Sequence, residues 1–330
     1  LNMDPAAIRA KVTPRTKVVM PVPMLGGCAR IGVLMSVVRD INAERREQGL
    51  PSIRVLEDCA QSLGAHAWGI PGSITPLADE GIHRVGTFGD IGIFSLQINK
   101  NITAGEGGMI VTRDPELHRR IDALHNAGYA HDLENPCNWY GDIPVGWGHG
   151  RRMTELQGAI ARVQLAKLDR ILDGMRRSHA RLEDCVRKLG MTPRARADAD
   201  NPGDTGYYCL FQLPPADLDE AGKIARGRAV ARALEPWGLH PWFLHDFEVH
   251  VYYNIVPLVE KWPISNGCPW ACDRNSFHTA CRYERGALPR LDEALITTVG
   301  INVPSRMTSQ QEQQVEDVLT YVFKEALPGV

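Results

Sequence analysis

Residues 94–108 read FSLQINKNITAGEGG. An apolar run ends at Ser95, Lys100 follows five residues later, and a glycine-rich turn leads into a second apolar run. A lysine held on such a turn, partly desolvated beside other polar groups, can act as an amine nucleophile. A lysine on an exposed surface loop is the other reading of the same residues. Upstream, residues 55–65 read VLEDCAQSLGA. Asp58 closes an apolar run and Gln61 stands three residues on, so two polar groups point into one crevice. An aspartate after a strand is also a common helix cap, and that reading stays open here.

The flanking segments predict what positions these groups. Residues 16–22 (TKVVMPV) form a valine-rich run ended by Pro21, Pro23 and Gly26-Gly27, a predicted buried strand. Ile31, Leu34, Met35, Val38 and Ile41 recur at helical spacing, and residues 44–49 form a polar end to that helix. Residues 53–56, 90–95 and 109–112 are three further predicted strands. Strand, helix and strand with short links predict a mostly parallel sheet, whose ligands bind outside the carboxyl ends of the strands. Asp58 and Ser95 both fall at such ends. Asp114, with Pro115 behind it, opens a helix reaching Asn126, and residues 128–150 read as a long functional loop. Thr154 caps one long helix to Leu189, with Leu156, Ile160, Val163, Leu168, Ile171, Leu172 and Met175 along a stripe. Residues 194–206 are polar and carry Pro and Gly, a predicted boundary. Beyond it lie a strand (207–213), a helix (218–234), a helix followed by a strand (291–303) and a final amphipathic helix (308–327).

Composition narrows the class. The 330 residues are 44% hydrophobic and 23% charged, which excludes a disordered or low-complexity chain. Thirty-seven Lys and Arg against 39 Asp and Glu leave a net charge of −2, so no general electrostatic grip on nucleic acid or an anionic membrane is expected. No apolar run approaches the ~20 residues of a membrane span. The opening residues Leu1-Asn2-Met3-Asp4-Pro5 lack the zones of a signal peptide. The eight cysteines then read as reduced thiols, and a cytoplasmic protein is expected. The length predicts two domains, placed at residues 1–190 and 191–330.

Taken together, the two motif stretches resemble the DegT/DnrJ/StrS family of sugar aminotransferases, which have the aspartate-aminotransferase fold and use pyridoxal 5′-phosphate. The family pattern E-D-x-A-Q is matched by Glu57-Asp58-Cys59-Ala60-Gln61. The pattern G-D-x-x-x-F-S-x-x-x-x-K-x-x-x-x-G-E-G-G is matched by residues 89–108. The similarity continues through Arg152-Met153-Thr154-Glu155-Leu156-Gln157 and into residues 308–319. It implies an α/β fold: a large domain with a mostly parallel sheet, incomplete at its start, followed by a smaller C-terminal α+β domain. It implies that Lys100 forms the internal Schiff base and carries the proton of transamination. It implies Asp58 on the pyridine nitrogen, Gln61 beside the ring hydroxyl and Ser95 on the phosphate. The activity implied is transfer of an amino group from Glu or Gln to a keto sugar nucleotide or keto-cyclitol, in a homodimer.

Two departures from the pattern bear on this. The family reads G-Y-N-Y-R-M where this chain has Gly148-His149-Gly150-Arg151-Arg152-Met153. The family Asn, which reaches a neighbouring subunit's cofactor phosphate, is therefore Gly150, and His149 or Arg151 is a candidate substitute. By the resemblance, Leu1 falls well inside the family's large domain, before which a phosphate-binding loop and a ring-stacking aromatic are expected; a truncated chain is the expectation, with a degenerate natural protein as the alternative. Two other classes stay open: a sugar dehydratase, against which Lys100 argues because that branch carries His, and a non-catalytic relative. Cys268, Cys272, His278 and Cys281 lack the spacing of a zinc site, and no metal is expected. Around Trp242, His245, His250, Tyr252 and Tyr253, a packing role suits Trp242 and Tyr253, and His250 is the candidate substrate contact. Arg119-Arg120 and Arg176-Arg177 read as solvated helix faces.

Overall fold

A short helix, Pro5–Ile8 (α1), capped by the Asp4 side chain, precedes the first strand, Val18–Val19 (β1). The chain crosses by Ile31–Glu47 (α2) to Arg54–Asp58 (β2), which pairs parallel to β1. The computed structural model describes residues 2–69, 81–129, 147–194, 203–247, 251–264, 267–271 and 281–327. β1 is shorter than its valine-rich run predicts, because Pro21 and Pro23 have no N–H for the ladder; the Pro21 carbonyl still accepts the Asp58 N–H at 3.0 Å.

The chain divides into two compact units, residues 1–176 with 195–207 and residues 177–194 with 208–330. In the first, β2 is followed by His66–Gly69 (β3) and Gly81–Arg84 (β4), an antiparallel pair with no counterpart in the predicted elements. Ile91–Ser95 (β5) then lies parallel to β2, and Gly108–Val111 (β6) closes the sheet antiparallel to β5, giving the order β1-β2-β5-β6. The predicted mostly parallel sheet is thus present. Ile31, Leu34, Met35, Val38 and Ile41 of α2 pack with Val19, Val55, Val85 and Phe88 as its core. Asn42 fixes helix to strand, its amide bonding both the N–H and the C=O of Ile53.

The polar end of α2 is not all solvated. Arg45 is buried, and its guanidinium donates to the carbonyls of Thr13, Pro14, Thr16 and Pro51. Pro115–His125 (α3) follows β6, with Asp114 as its cap, as predicted. The single long helix predicted from Thr154 is two: Glu155–Leu165 (α4), opened by a Thr154/Gln157 capping box, and Leu168–Lys188 (α5). The Lys167 N–H reaches only three residues back, to Gln164, so the ladder tightens and breaks between them. The expected stripe splits accordingly. Leu168, Leu172 and Met175 are buried with Leu96 and Ile102, while Leu156 on α4 is 79% exposed.

The second unit is α+β. Thr192–Pro193 (β7), Tyr208–Gln212 (β8), Pro241–Phe243 (β9) and Thr298–Asn302 (β10) form an antiparallel sheet in the order β7-β8-β10-β9. Its helices are Glu220–Leu234 (α6), Val256–Val259 (α7), Pro289–Thr297 (α8) and Ser309–Tyr321 (α9). The short β9 has no predicted counterpart. Phe211, Val230, Phe243, Val299, Leu319 and Phe323 share one core. Gly227 lets α6 sit on the Phe243 ring, which a side chain there would strike. The division between the units falls within α5.

Candidate active site

β2 and β5 are parallel neighbours, so their carboxyl ends meet at one edge of the sheet. Asp58 pairs with Ile93, and Ser95 lies two residues further along β5. Side chains alternate along a strand, so Asp58, Ile93 and Ser95 share a face and Glu57 and Phe94 take the other. Asp58 and Ser95 are both half-buried. The Asp58 carboxylate accepts the Ala60 N–H at 3.1 Å, which turns the chain and brings Gln61 back to the same edge. Gln61 Oε1 accepts the Leu25 N–H at 2.7 Å. Leu25 itself stands at φ 55°, a left-handed conformation uncommon for a branched side chain.

Lys100 is half-buried on the turn that follows Ser95. Its own N–H donates to the Gln97 carbonyl at 3.0 Å, and Gln97 Oε1 accepts the Asn99 N–H at 2.8 Å. The far side of the turn is closed by Ala104 N–H and Thr103 Oγ1, both donating to the Leu96 carbonyl. Gly105 and Gly107, at φ 84° and 137°, supply the backbone conformations that carry the chain into β6. Among the described residues, the Lys100 amine has no ion pair or hydrogen bond. The structure therefore brings Asp58, Gln61, Ser95 and Lys100 to one sheet edge. His250 lies outside the described residues.

Glu57 has a part that the sequence reading did not give it. It is 1% exposed, and its carboxylate accepts N–H groups from Gly86 at 2.8 Å and from Phe88 and Gly89 at 2.7 Å each. Burial pushes its carboxyl above the ordinary range, and the three N–H groups pull it back. Glu57 thus pins the loop that enters β5, while its neighbour Asp58 is half-buried on the opposite face. The signal for it was present: a glutamate at a buried position of the strand alternation, followed by a glycine-rich loop. Cys59 is fully buried and its thiol is raised by desolvation, which makes it inert.

Other expected residues are placed as follows. His149, Gly150 and Arg151 are exposed and stitched to the end of α3, His149 N–H to Leu124 and Arg151 N–H to His125. Arg176 is not a solvated residue: its guanidinium donates to the carbonyls of Asp204 and Gly64 at 2.9 and 3.2 Å, and burial lowers its pKa. Arg119 and Arg120 both pair with Glu116 at an exposed surface. In the second unit, Trp242 donates to Asn302 at 2.6 Å and packs edge-on against Tyr208 and Phe247, and Tyr253 packs against Tyr252 beneath Arg285. Both have the packing role expected of them. Cys272 and His278 lie outside the described residues, among which no cluster of three metal-ligating side chains occurs.

The architecture is that of the sugar aminotransferases. A sugar aminotransferase from Micromonospora echinospora superimposes with a TM-score of 0.69, over 98% of this chain and 72% of that one, at 22% identity. Residues 1–221 match the DegT/DnrJ/EryC1/StrS aminotransferase family, and the chain belongs to it. It is 33% identical over 225 residues to the L-glutamine:2-deoxy-scyllo-inosose aminotransferase of Streptomyces kanamyceticus, covering 67% of this chain and 47% of that relative. It is 36% identical over 181 residues to the UDP-N-acetyl-3-dehydro-alpha-D-glucosamine 3-aminotransferase of Acidithiobacillus ferrooxidans, covering 53% of this chain and 39% of that relative. The chain spans about half the length of the first of these relatives. None of the described helices is long and apolar enough to cross a membrane.

Proposed function

We propose that the protein is a pyridoxal 5′-phosphate-dependent aminotransferase, acting from Lys100, that moves an amino group from glutamine or glutamate to the keto group of a nucleotide sugar or cyclitol. The observation that carries this reading is the Lys100 amine, without a partner among the described residues, on a turn at the sheet edge that also holds Asp58, Gln61 and Ser95. The donor set fits the cofactor group by group. Asp58 offers a carboxylate to a protonated ring nitrogen, and Ser95 a hydroxyl to a phosphate. With Oε1 of Gln61 taken by Leu25, its Nε2 is left to donate to a ring phenolate. When bound, pyridoxal 5′-phosphate supplies an electron-poor ring that takes up the electron pair left when a C–H bond beside nitrogen breaks.

Lys100 has two tasks in this reading. Its amine would hold the cofactor at rest. Freed when the amino donor takes its place, the same amine would move the proton of the transfer, as a general base and then a general acid. Asp58 would hold a proton at the ring nitrogen. The cyclitol and nucleotide-sugar acceptors come from the activities named for the two relatives. A homodimer in a cytoplasmic setting belongs to the same reading.

An absorbance scan tests it. The protein mixed with the cofactor is expected to show the band of lysine-bound cofactor near ~415 nm, to lose it with borohydride, and to lack it in Lys100→Ala. A wild-type protein that binds the cofactor without that band sinks the proposal.

A further inference from the structure

Residues 203–206 read from composition as part of a boundary and Tyr207 as the start of a strand, yet all five are built into the first unit. Thr205 is fully buried and Asp204 is 8% exposed. Asp204 Oδ1 accepts the Cys28 N–H at 2.6 Å. Thr205 donates twice to the Gly26 carbonyl, from its N–H at 2.9 Å and from Oγ1 at 3.3 Å. Gly26 stands at φ 74° and lies so close to Thr205 Oγ1 that any side chain there would collide with it. The Gly203 carbonyl accepts the His66 N–H, and the Asp204 carbonyl accepts Arg176 Nε. Tyr207 Oη donates to the Asn99 carbonyl at 2.6 Å.

These bonds converge on the sheet edge from two sides. Gly26 and Cys28 belong to the loop whose Leu25 N–H fixes the Gln61 amide. Asn99 is the residue before Lys100, so the Tyr207 hydroxyl holds the peptide unit from which the lysine side chain departs. We infer that residues 203–207 form a strap that positions both Gln61 and Lys100. Thr205 and Asp204 act on Gln61 through Leu25, and Tyr207 acts on Lys100 through the Asn99–Lys100 peptide. None of the three touches the cofactor in this scheme; they are positioning residues. The significance for catalysis rests on the reading of Lys100 above, whereas the strap itself is a property of the free protein.

The test uses Tyr207→Phe, which removes one hydroxyl and keeps the ring in its packing, and Thr205→Val, which removes Oγ1 at nearly constant volume. Amide hydrogen exchange on the cofactor-free protein is expected to quicken about fivefold or more at Lys100 in the first variant and at Leu25 in the second. The Ile53 amide, held by Asn42 in the same unit, is expected to be unmoved in both. Thr205→Ser, which keeps the hydroxyl, is expected to restore protection at Leu25. With the cofactor added, the pH midpoint of the ~415 nm band in Tyr207→Phe is expected to shift by about half a unit or more, with the melting temperature within about 2 °C of wild type. A destabilised Asn42→Ala protein is expected to keep the wild-type midpoint. Unchanged exchange at Leu25 and Lys100 in both variants overturns the strap, whether or not the band forms. Quickened exchange without any band in the wild type upholds the strap and rejects the aminotransferase reading.

Discussion

The amide of Gln61 is oriented by Leu25: its Oε1 accepts the Leu25 N–H at 2.7 Å, so only its Nε2 is left to donate. A glutamate in its place still accepts from Leu25 but turns a second acceptor toward the site. In Gln61→Glu the affinity for pyridoxal 5′-phosphate is expected to fall about tenfold or more, the cost of replacing a donor by a charged acceptor beside a phenolate. The melting temperature of the free protein should hardly move, since the Leu25 bond survives. Cofactor fluorescence titration reads the first quantity and calorimetry the second. Equal affinity in wild type and variant removes Gln61 from the cofactor site.

Asp58 tests a different part of the chemistry. Asp58→Asn keeps the size and the bond from Ala60 but gives up the charge that keeps a ring nitrogen protonated. The lysine-bound cofactor is expected to form still, while the first half-reaction with glutamine or glutamate slows by about 100-fold or more. Stopped-flow loss of the ~415 nm band measures it. A half-reaction within about threefold of wild type places the charge elsewhere.

Much of the site was legible because it is local. Asp58, Gln61, Ser95 and Lys100 stand at strand ends or on the turns just after them, and strand ends follow from short apolar runs bounded by Gly and Pro. What supports them was not legible, because it acts across the chain through backbone atoms. Tyr207 reaches Asn99 over 108 residues and Asp204 reaches Cys28 over 176, and both target main-chain groups that any residue would present. Short polar residues between Pro202 and Gly206 read as a linker when their partners are out of view. The break between α4 and α5 carries neither Pro nor Gly, so no residue type marks it. The strands β3 and β9 have four and three residues, too few for a period to register.

Arg45 illustrates the same limit at the end of α2. Its position in a polar run suggests a solvated side chain, but it gathers the carbonyls of Thr13, Pro14, Thr16 and Pro51. Arg45→Met keeps the aliphatic stem and strands those acceptors. A loss of about 2–4 kcal/mol is expected, seen as a melting temperature lowered by ~5–10 °C. Arg45→Lys should recover only part of it, because an ammonium cannot match the planar fork. A drop under about 1 °C in Arg45→Met shows that water replaces the guanidinium without cost.

Glu57 sets a pH dependence whose sign follows from its burial. Its carboxyl is raised above the unfolded value, so between the two values the folded protein holds a proton that the unfolded chain has released. Stability from this group is then fully present below the unfolded pKa, about 4.5, and is lost as the pH rises through the folded one. Glu57→Gln removes that titration. It also puts an NH₂ group where wild type presents Oε2: the amide Oε1 still accepts from Phe88 and Gly89, while Nε2 faces the Gly86 N–H donor. The variant is expected to melt lower than wild type by ~4–8 °C near pH 5. The gap should narrow toward alkaline pH, as the wild type alone gives up the stability tied to its bound proton. Melting curves of the two proteins from pH 5 to 8 decide it. A gap that widens with pH means that the three N–H groups outweigh burial and that Glu57 is ionised in the folded protein throughout.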